Sequence, residues 1–308
     1  MSNFKVHFLG TGSAVPDYNN HSASSQVVEY NGKMYMVDCG ECAQYKAKQI
    51  NLSLNRIEAV FISHVHGDHT FGLIGMIASM AMSISRTKKL TIYSPPGVKD
   101  FVQPQIDLFC GKMTYPVEFV ELDPFVQTTI QLASEFEVIA FPMYHSVDSV
   151  GYLFREVNKK PHINPDAFNQ YGVPFTFANA IKNGEDYMTS DGTVIKNHLL
   201  TIPPTPCRSY AYCSDTARLG TEQADLLMNV DVIYHETSFK IIDKDNALRF
   251  GHSTTQDAGE FATECNCKKL YIGHMSARYP KEEELLEETR QYFKNTEIAK
   301  ELETIEID

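Results

Sequence analysis

Between His64 and His69 the chain reads His-Val-His-Gly-Asp-His, four groups able to bind a metal ion within six residues. Imidazole nitrogens suit zinc-like ions, and the Asp68 carboxylate can ligate or take a proton. The apolar stretch Val60-Phe61-Ile62 runs directly into this cluster. A strand that ends by releasing several ligands into one mouth is a way to build a two-metal hydrolytic site. A plain polar turn would give His64, His66, Asp68 and His69 no common task, so the run points to a metal-dependent hydrolase.

Three later apolar runs end in the same manner. Val138 to Met143 leads to His145, Tyr210 to Cys213 leads to Asp215, and Leu270 to Ile272 leads to His274. Adjacent strand ends could bring these side chains together. Singly, each is a capping aspartate or a satisfied loop histidine; with the first run they complete a dinuclear site. The expected division gives one metal His64, His66 and His145, and the other Asp68, His69 and His274, with Asp215 bridging. Two ions roughly 3.5 Å apart can acidify a shared water and meet the charge that builds on a transferring phosphoryl group. Asp38, at the end of another apolar run, is expected to orient a ligand histidine or the water, or else to cap a turn.

His235-Glu236-Thr237-Ser238 and His252-Ser253-Thr254 remain. A nuclease must protonate a departing ribose oxygen, and a histidine held by a carboxylate suits that task. His252 is therefore the expected general acid, oriented by Glu236, with His235 bonded locally; the bland reading makes His252 a rim residue and Ser253 or Thr254 an N-cap. Cys265-Asn266-Cys267 is a single weak metal motif, and the seven cysteines read as reduced thiols.

These groups need elements to hold them. Val6 to Leu9 predicts a first strand, and Gly10-Thr11-Gly12-Ser13 after it a tight turn at the site's rim. A phosphate cradle is the other reading, but the P-loop lysine is missing. Gln26 to Tyr30 and Met34 to Val37 flank Asn31-Gly32, a strong hairpin signal. A helix is expected from His69 to Met82, with Phe71, Ile74, Ile77 and Ala78 on one face, and another over Val98 to Phe109 that Pro104 would bend or divide. Thr254 to Glu264 and Glu282 to Tyr292 read as later helices. Strands Phe136 to Phe141, Val150 to Phe154, Tyr210 to Cys213, Val232 to Tyr234 and Leu270 to Ile272 complete a sheet-rich core with helices outside, an α/β sandwich. Residues 158–206, with six prolines and little periodicity, predict a loop-rich projecting arm inserted in one domain spanning 1–308.

Composition narrows the class. At 308 residues and 43% hydrophobic the chain suits a globular enzyme, and no apolar run approaches 20 residues. The N-terminus lacks a basic-then-apolar leader, so no membrane and a cytoplasmic location are expected. Net charge is −12, and half of the excess lies in residues 281–308. That balance argues against strong non-specific binding of nucleic acid, although ligating carboxylates are counted as if bare.

The chain resembles the tRNA 3′-end endonuclease (ribonuclease Z) branch of the metallo-β-lactamase superfamily. The resemblance is carried by Gly10-Thr11-Gly12-Ser13, Asp38-Cys39-Gly40-Glu41, the His64–His69 run and Ser214-Asp215-Thr216. It continues through His235-Glu236-Thr237, His252-Ser253-Thr254 and Gly273-His274-Met275-Ser276-Ala277-Arg278-Tyr279. It implies a four-layer αββα sandwich, a homodimer, two zinc ions per chain with manganese as a possible substitute, and precursor tRNA as substrate. The cut would remove the 3′ trailer and leave a 3′-hydroxyl. It also implies that Asp68 accepts the proton of the attacking water, and that the arm grips the tRNA. Two departures stand out. The family's P-x-K-x-R-N loop is here Pro16-Asp17-Tyr18-Asn19-Asn20-His21, without its basic residues, and the arm reads Gly172-Val173-Pro174-Phe175-Thr176-Phe177, without the usual Gly-Pro ending. Lys159, Lys160, Lys182, Lys196 and Arg208 supply only scattered charge. Another phosphodiesterase of this fold acting on small or different diesters is the runner-up, and a metal-free RNA-binding scaffold is the alternative from outside enzymology.

Overall fold

The computed structural model describes residues 3–15, 21–83 and 86–308; the Pro16–Asn20 part of the departing loop lies outside them. Two compact units result, one of residues 1–130, 138–154 and 209–308, the other of residues 131–137 and 155–208.

The strands run β1 (Phe4–Gly10), β2 (Ser25–Tyr30), β3 (Lys33–Cys39), β4 (Ile57–Phe61), β5 (Leu90–Ser94), β6 (Val117–Glu121), β7 (Thr128–Ala133), β8 (Phe136–Pro142) and β9 (Val150–Glu156). Four short ones follow, β10 (His162–Ile163), β11 (Tyr187–Met188), β12 (Val194–Ile195) and β13 (Thr201–Ile202). The last are β14 (Ser209–Cys213), β15 (Val232–Glu236), β16 (Lys269–Gly273), β17 (Thr296–Ile298) and β18 (Thr304–Glu306). They form two seven-stranded sheets, ordered β18-β1-β2-β3-β4-β5-β6 and β17-β16-β15-β14-β9-β8-β7. The hairpin between β2 and β3 closes over two residues, Tyr30 opposite Lys33. Asn31 and Gly32 both take positive φ, 48° and 79°, as that turn requires.

Residue parity explains why the sheets stack. Along β3, Met34 and Met36 face one way into a cluster with Ala43, Leu73, Met76, Met80, Val98 and Val102 from the helices. Tyr35 faces the other way, its ring 6.4 Å from that of Phe61. In the second sheet Ala211, Cys213, Ile233, Leu270 and Ile272 join a cluster with Phe261 and Leu285 of the helices. The alternate residues are aromatic and meet the first sheet: Phe61 against Tyr152 at 5.2 Å and Phe154 at 5.4 Å, Phe8 against Tyr271 at 5.5 Å. Period-2 alternation of aliphatic and aromatic side chains thus puts helices outside and rings between the sheets, the αββα sandwich expected.

The helix expected from His69 divides into Gly67–Thr70 and Gly72–Met82. Its buried face is Leu73, Met76, Ile77 and Met80, and Phe71 is 54% exposed. That corrects the face read from the sequence. At the helix start a Cβ at Gly72 would lie 2.1 Å from the Gly40 carbonyl oxygen, an approach only glycine allows. Val98–Phe109 remains one helix with Pro104 inside it. Cys39 and Cys213 are buried and Cys110 is half-buried.

The second unit is more regular than its sequence suggests. It holds the pairs β10–β13 and β11–β12 and the helices Pro165–Tyr171, Ala178–Lys182 and Asn197–Leu200 around a core of Phe168, Val173, Ile181, Ile195 and Leu200. Pro165 opens a helix whose Asn164 cap accepts from the Ala167 N–H at 3.2 Å. Helices of one or two turns are too short to register as periodicity. No helix among the described residues is long and apolar enough to cross a membrane.

Candidate metal centre

Strand ends from both large sheets converge on one cavity of about 310 Å³, lined by His66, Asp68, His145, Asp215, His252 and His274 among others. Ser13 of the Gly10–Ser13 turn is on its rim, where Met275 N–H donates to the Thr11 carbonyl at 3.1 Å. Two groups of ligand atoms sharing Asp215 form beside it, His64, His66, His145 and Asp215, and Asp68, His69, Asp215 and His274; a third, Glu236, His252 and His274, adjoins them.

The spacings test whether cations fit. Two donors each ~2.0–2.1 Å from one tetrahedral ion lie about 3.3 Å apart. In the first group His66 Nδ1 is 3.0 Å from His64 Nε2 and 3.3 Å from His145 Nε2. In the second, His274 Nε2 lies 3.3 Å from Asp68 Oδ2 and 3.2 Å from Asp215 Oδ1, and His69 Nε2 lies 3.4 Å and 3.5 Å from the same two oxygens. Asp215 Oδ2 faces His64 and His145, 3.9 Å from each. One carboxylate therefore turns one oxygen to each group. His69 Nε2 and Asp215 Oδ1 are buried without a hydrogen bond, a cost of about 1–3 kcal/mol for each such atom that a bound cation would remove. The donor set of imidazoles and carboxylates suits two divalent ions of the zinc class.

Each ligating face is fixed from behind. His69 Nδ1–H donates to Asp38 Oδ2 at 2.7 Å, His145 Nδ1 contacts the Gly251 carbonyl at 2.7 Å, His64 Nδ1 meets Ser63 Oγ at 2.9 Å, and His274 Nδ1 meets Ser238 Oγ at 2.9 Å. These bonds leave Nε2 of all four rings for the cavity and set the tautomer. Asp38 itself is fully buried and also accepts from Ser63 N–H, Ser63 Oγ–H and the Tyr212 hydroxyl. Ser63, Tyr212 and Ser238 were not singled out from the sequence for this role. Their signal was available: Ser63 precedes the histidine run, Ser238 closes the His235–Ser238 run, and Tyr212 has the inward parity of β14.

Electrostatics follow burial and partners. Burial, aided by neighbouring His69, holds His64 well below the usual imidazole range, and burial lowers His66 and His145 against the pull of Asp215. Neutral imidazole is the form that binds metal. At His69 burial is overcome by Asp215 and Asp38, which raise it well above that range, so a cation there would compete with a proton. Burial pushes Asp68 and Asp215 up, yet His274 and His69 hold both carboxyls far below the ordinary range, ionised.

His252 lines the same cavity, with the fully buried Glu236 behind it. His252 Nδ1 is 2.9 Å from Glu236 Oε1, and Glu236 also accepts from the N–H groups of Thr216, Ser253 and Ser238. Burial lowers His252, but Glu236 overrides it and the group is raised to about 9. His235 bonds locally, its Nδ1 2.7 Å from the Glu236 carbonyl, and Thr254 caps the helix Thr255–Glu264. Cys265 and Cys267 enter no ligand group among the described residues.

Known proteins place this geometry. The family model described as anti-Pycsar protein Apyc1 matches residues 4–290. A ribonuclease Z of Bacteroides fragilis (strain YCH46) is 40% identical over 301 residues, 98% of each chain. One of Porphyromonas gingivalis (strain W83) is 39% identical over 307 residues, covering both chains fully. The crystal structure of the human tRNase Z short form superposes with a TM-score of 0.69 over 99% of each chain, at 24% identity, a likeness of fold. With near full-length identity of this order, the αββα sandwich and the paired His/Asp clusters, the chain belongs to the ribonuclease Z family of metallo-β-lactamase-fold hydrolases.

Proposed function

We propose that the chain is a zinc-dependent endoribonuclease that removes the 3′ trailer from precursor tRNA and leaves a 3′-hydroxyl. The observation carrying this reading is Asp215, whose two oxygens face separate ligand groups, while His252, backed by buried Glu236, lines the same cavity. His64, His66, His145 and Asp215 would hold one ion, and Asp68, His69, His274 and Asp215 the other. Two cations held there supply Lewis-acid charge for the phosphoryl oxygens and acidify the attacking water. Asp38 positions the His69 ring. Asp68 would be a ligand of the second ion and the acceptor of the water's proton; its depressed carboxyl makes it a weak base, so the ligand role would carry more of its effect. His252, oriented and kept protonated by Glu236, gives its proton to the ribose 3′-oxygen as the P–O bond breaks, and the trailer leaves with the 5′-phosphate.

Residues 158–206, within the second unit, serve in this reading as the RNA-gripping arm of a cytoplasmic homodimer. The seven free cysteines suit a reducing compartment. Mixing arm-deleted chains with His66→Ala chains tests the dimer, since activity returns only if one subunit's arm presents RNA to the other's site. Mapping the ends released from a trailer-bearing precursor, with and without CCA, tests the substrate. Absence of cleavage with zinc or manganese supplied would overturn it.

One observation favours the runner-up, hydrolysis of a small diester. Between Arg155 and Arg208 six cations meet five carboxylates, and Lys159 and Arg208 are both paired with Glu156, Lys196 with Asp186. Little net positive charge is left there for a phosphate backbone. A kcat/KM on a small cyclic diester equal to that on precursor tRNA would select this reading.

A further inference from the structure

A second cavity of about 440 Å³ adjoins the metal centre, sharing His145 and Ser146 with it. Its volume lies within the ~300–1,000 Å³ of small-ligand clefts. Pro124, Phe125, Tyr144, Val147 and Asp148 line it, and among the described residues no Lys or Arg does. Such walls reject a phosphate and suit a flat, largely apolar group with polar edges.

Two exposed aromatic rings line this cavity. Phe125 is 78% exposed on the connection between β6 and β7. Its N–H donates to the Asp123 carboxylate at 2.9 Å, and the next N–H, of Val126, donates to the Asp123 carbonyl at 3.3 Å, so the turn presents the ring outward. Tyr144 is 44% exposed, and its hydroxyl accepts from Gln223 Nε2 at 3.2 Å, a side chain that also donates to the Pro142 carbonyl. Exposed rings beside a site for phosphodiester chemistry have the character of stacking platforms.

We infer that this cavity is a nucleobase subsite. The inference rests on the endonuclease reading, in which the polynucleotide continues past the broken bond. The base flanking the scissile phosphate leaves its stack and lies against Phe125 and Tyr144, with the exposed Asp148 carboxylate accepting from a base amino group.

The test pairs one protein change with one substrate change. A trailer-bearing precursor is compared with versions carrying an abasic residue on either side of the cut, using the metal-loaded wild type, Phe125→Ala and Phe125→Trp. Removing the base is expected to cost the wild type roughly tenfold in kcat/KM at one flank, the scale of a single base–aromatic stack. In Phe125→Ala that penalty shrinks to within about twofold, whereas Phe125→Trp keeps it. Equal abasic penalties in wild type and Phe125→Ala at both flanks would overturn the subsite and leave the endonuclease reading standing. Failure of the wild type to cut the intact precursor would remove both.

Discussion

Four of the seven residues in the two ligand groups, His64, His66, Asp68 and His69, come from one six-residue stretch; His145, Asp215 and His274 come singly from three distant strand ends. The contiguous set leaves a single strand, β4, and the Gly67–Thr70 turn of helix fixes Asp68 and His69 beside each other. The scattered set depends on pairing of the second sheet, where Cys213 lies opposite His235 and Glu236 opposite Gly273. A one-residue slip there would turn Asp215 or His274 away from the cavity. Each scattered histidine also needs its own support, the Gly251 carbonyl for His145 and Ser238 for His274. Clustered ligands are thus brought together by local geometry and dispersed ones by strand register, and hydrogen bonds back both sets.

The largest effect is expected where both groups meet. Asp215→Ala removes an oxygen from each, so metal content should fall toward zero per chain and activity by more than the ~10²–10⁴-fold that a general acid is worth. Retention of two metal equivalents in that variant would break the bridging assignment. Next comes a residue of the dispersed half that is not a ligand in this reading: His252→Ala should lose about 10²–10⁴-fold in kcat while keeping its metal, measured by elemental analysis beside the rate.

Support behind the contiguous half should matter less. Asp38→Asn keeps the positive φ of 52° tolerable but replaces the carboxylate that takes the His69 proton. A loss of about 10–100-fold in metal affinity is expected from titration with a chelator. Wild-type affinity in this variant would reduce Asp38 to a turn residue.

The smallest change concerns pH. Glu236 raises His252 to about 9 against the effect of burial, so the protonated acid is favoured in the fold. The associated stability is complete below the unfolded value near 6.5 and fades as pH rises through 9. Activity carried by that proton falls on the same alkaline side. Bound cations lower the group in wild type and variant alike, so the comparison carries the result: Glu236→Gln should move the alkaline fall of the kcat profile to lower pH. An unmoved profile would detach Glu236 from His252.

Much of this was legible before folding. The candidate metal-binding side chains, the Asn31-Gly32 hairpin and the strands of the core are short-range properties, set by residue type and local pattern. Tertiary structure alone decided which oxygen of Asp215 faces which ligand group, that Ser63, Ser238 and, through Asp38, Tyr212 stand behind the histidines, and that Gly72 meets Gly40. It also decided that the Pro-rich stretch after Glu156 forms a small unit with its own core, and that Phe125 and Tyr144 share a cavity with His145. The physical reason is common to all of these. They are contacts between residues far apart in the chain, fixed by strand register and close packing, and no local pattern records them.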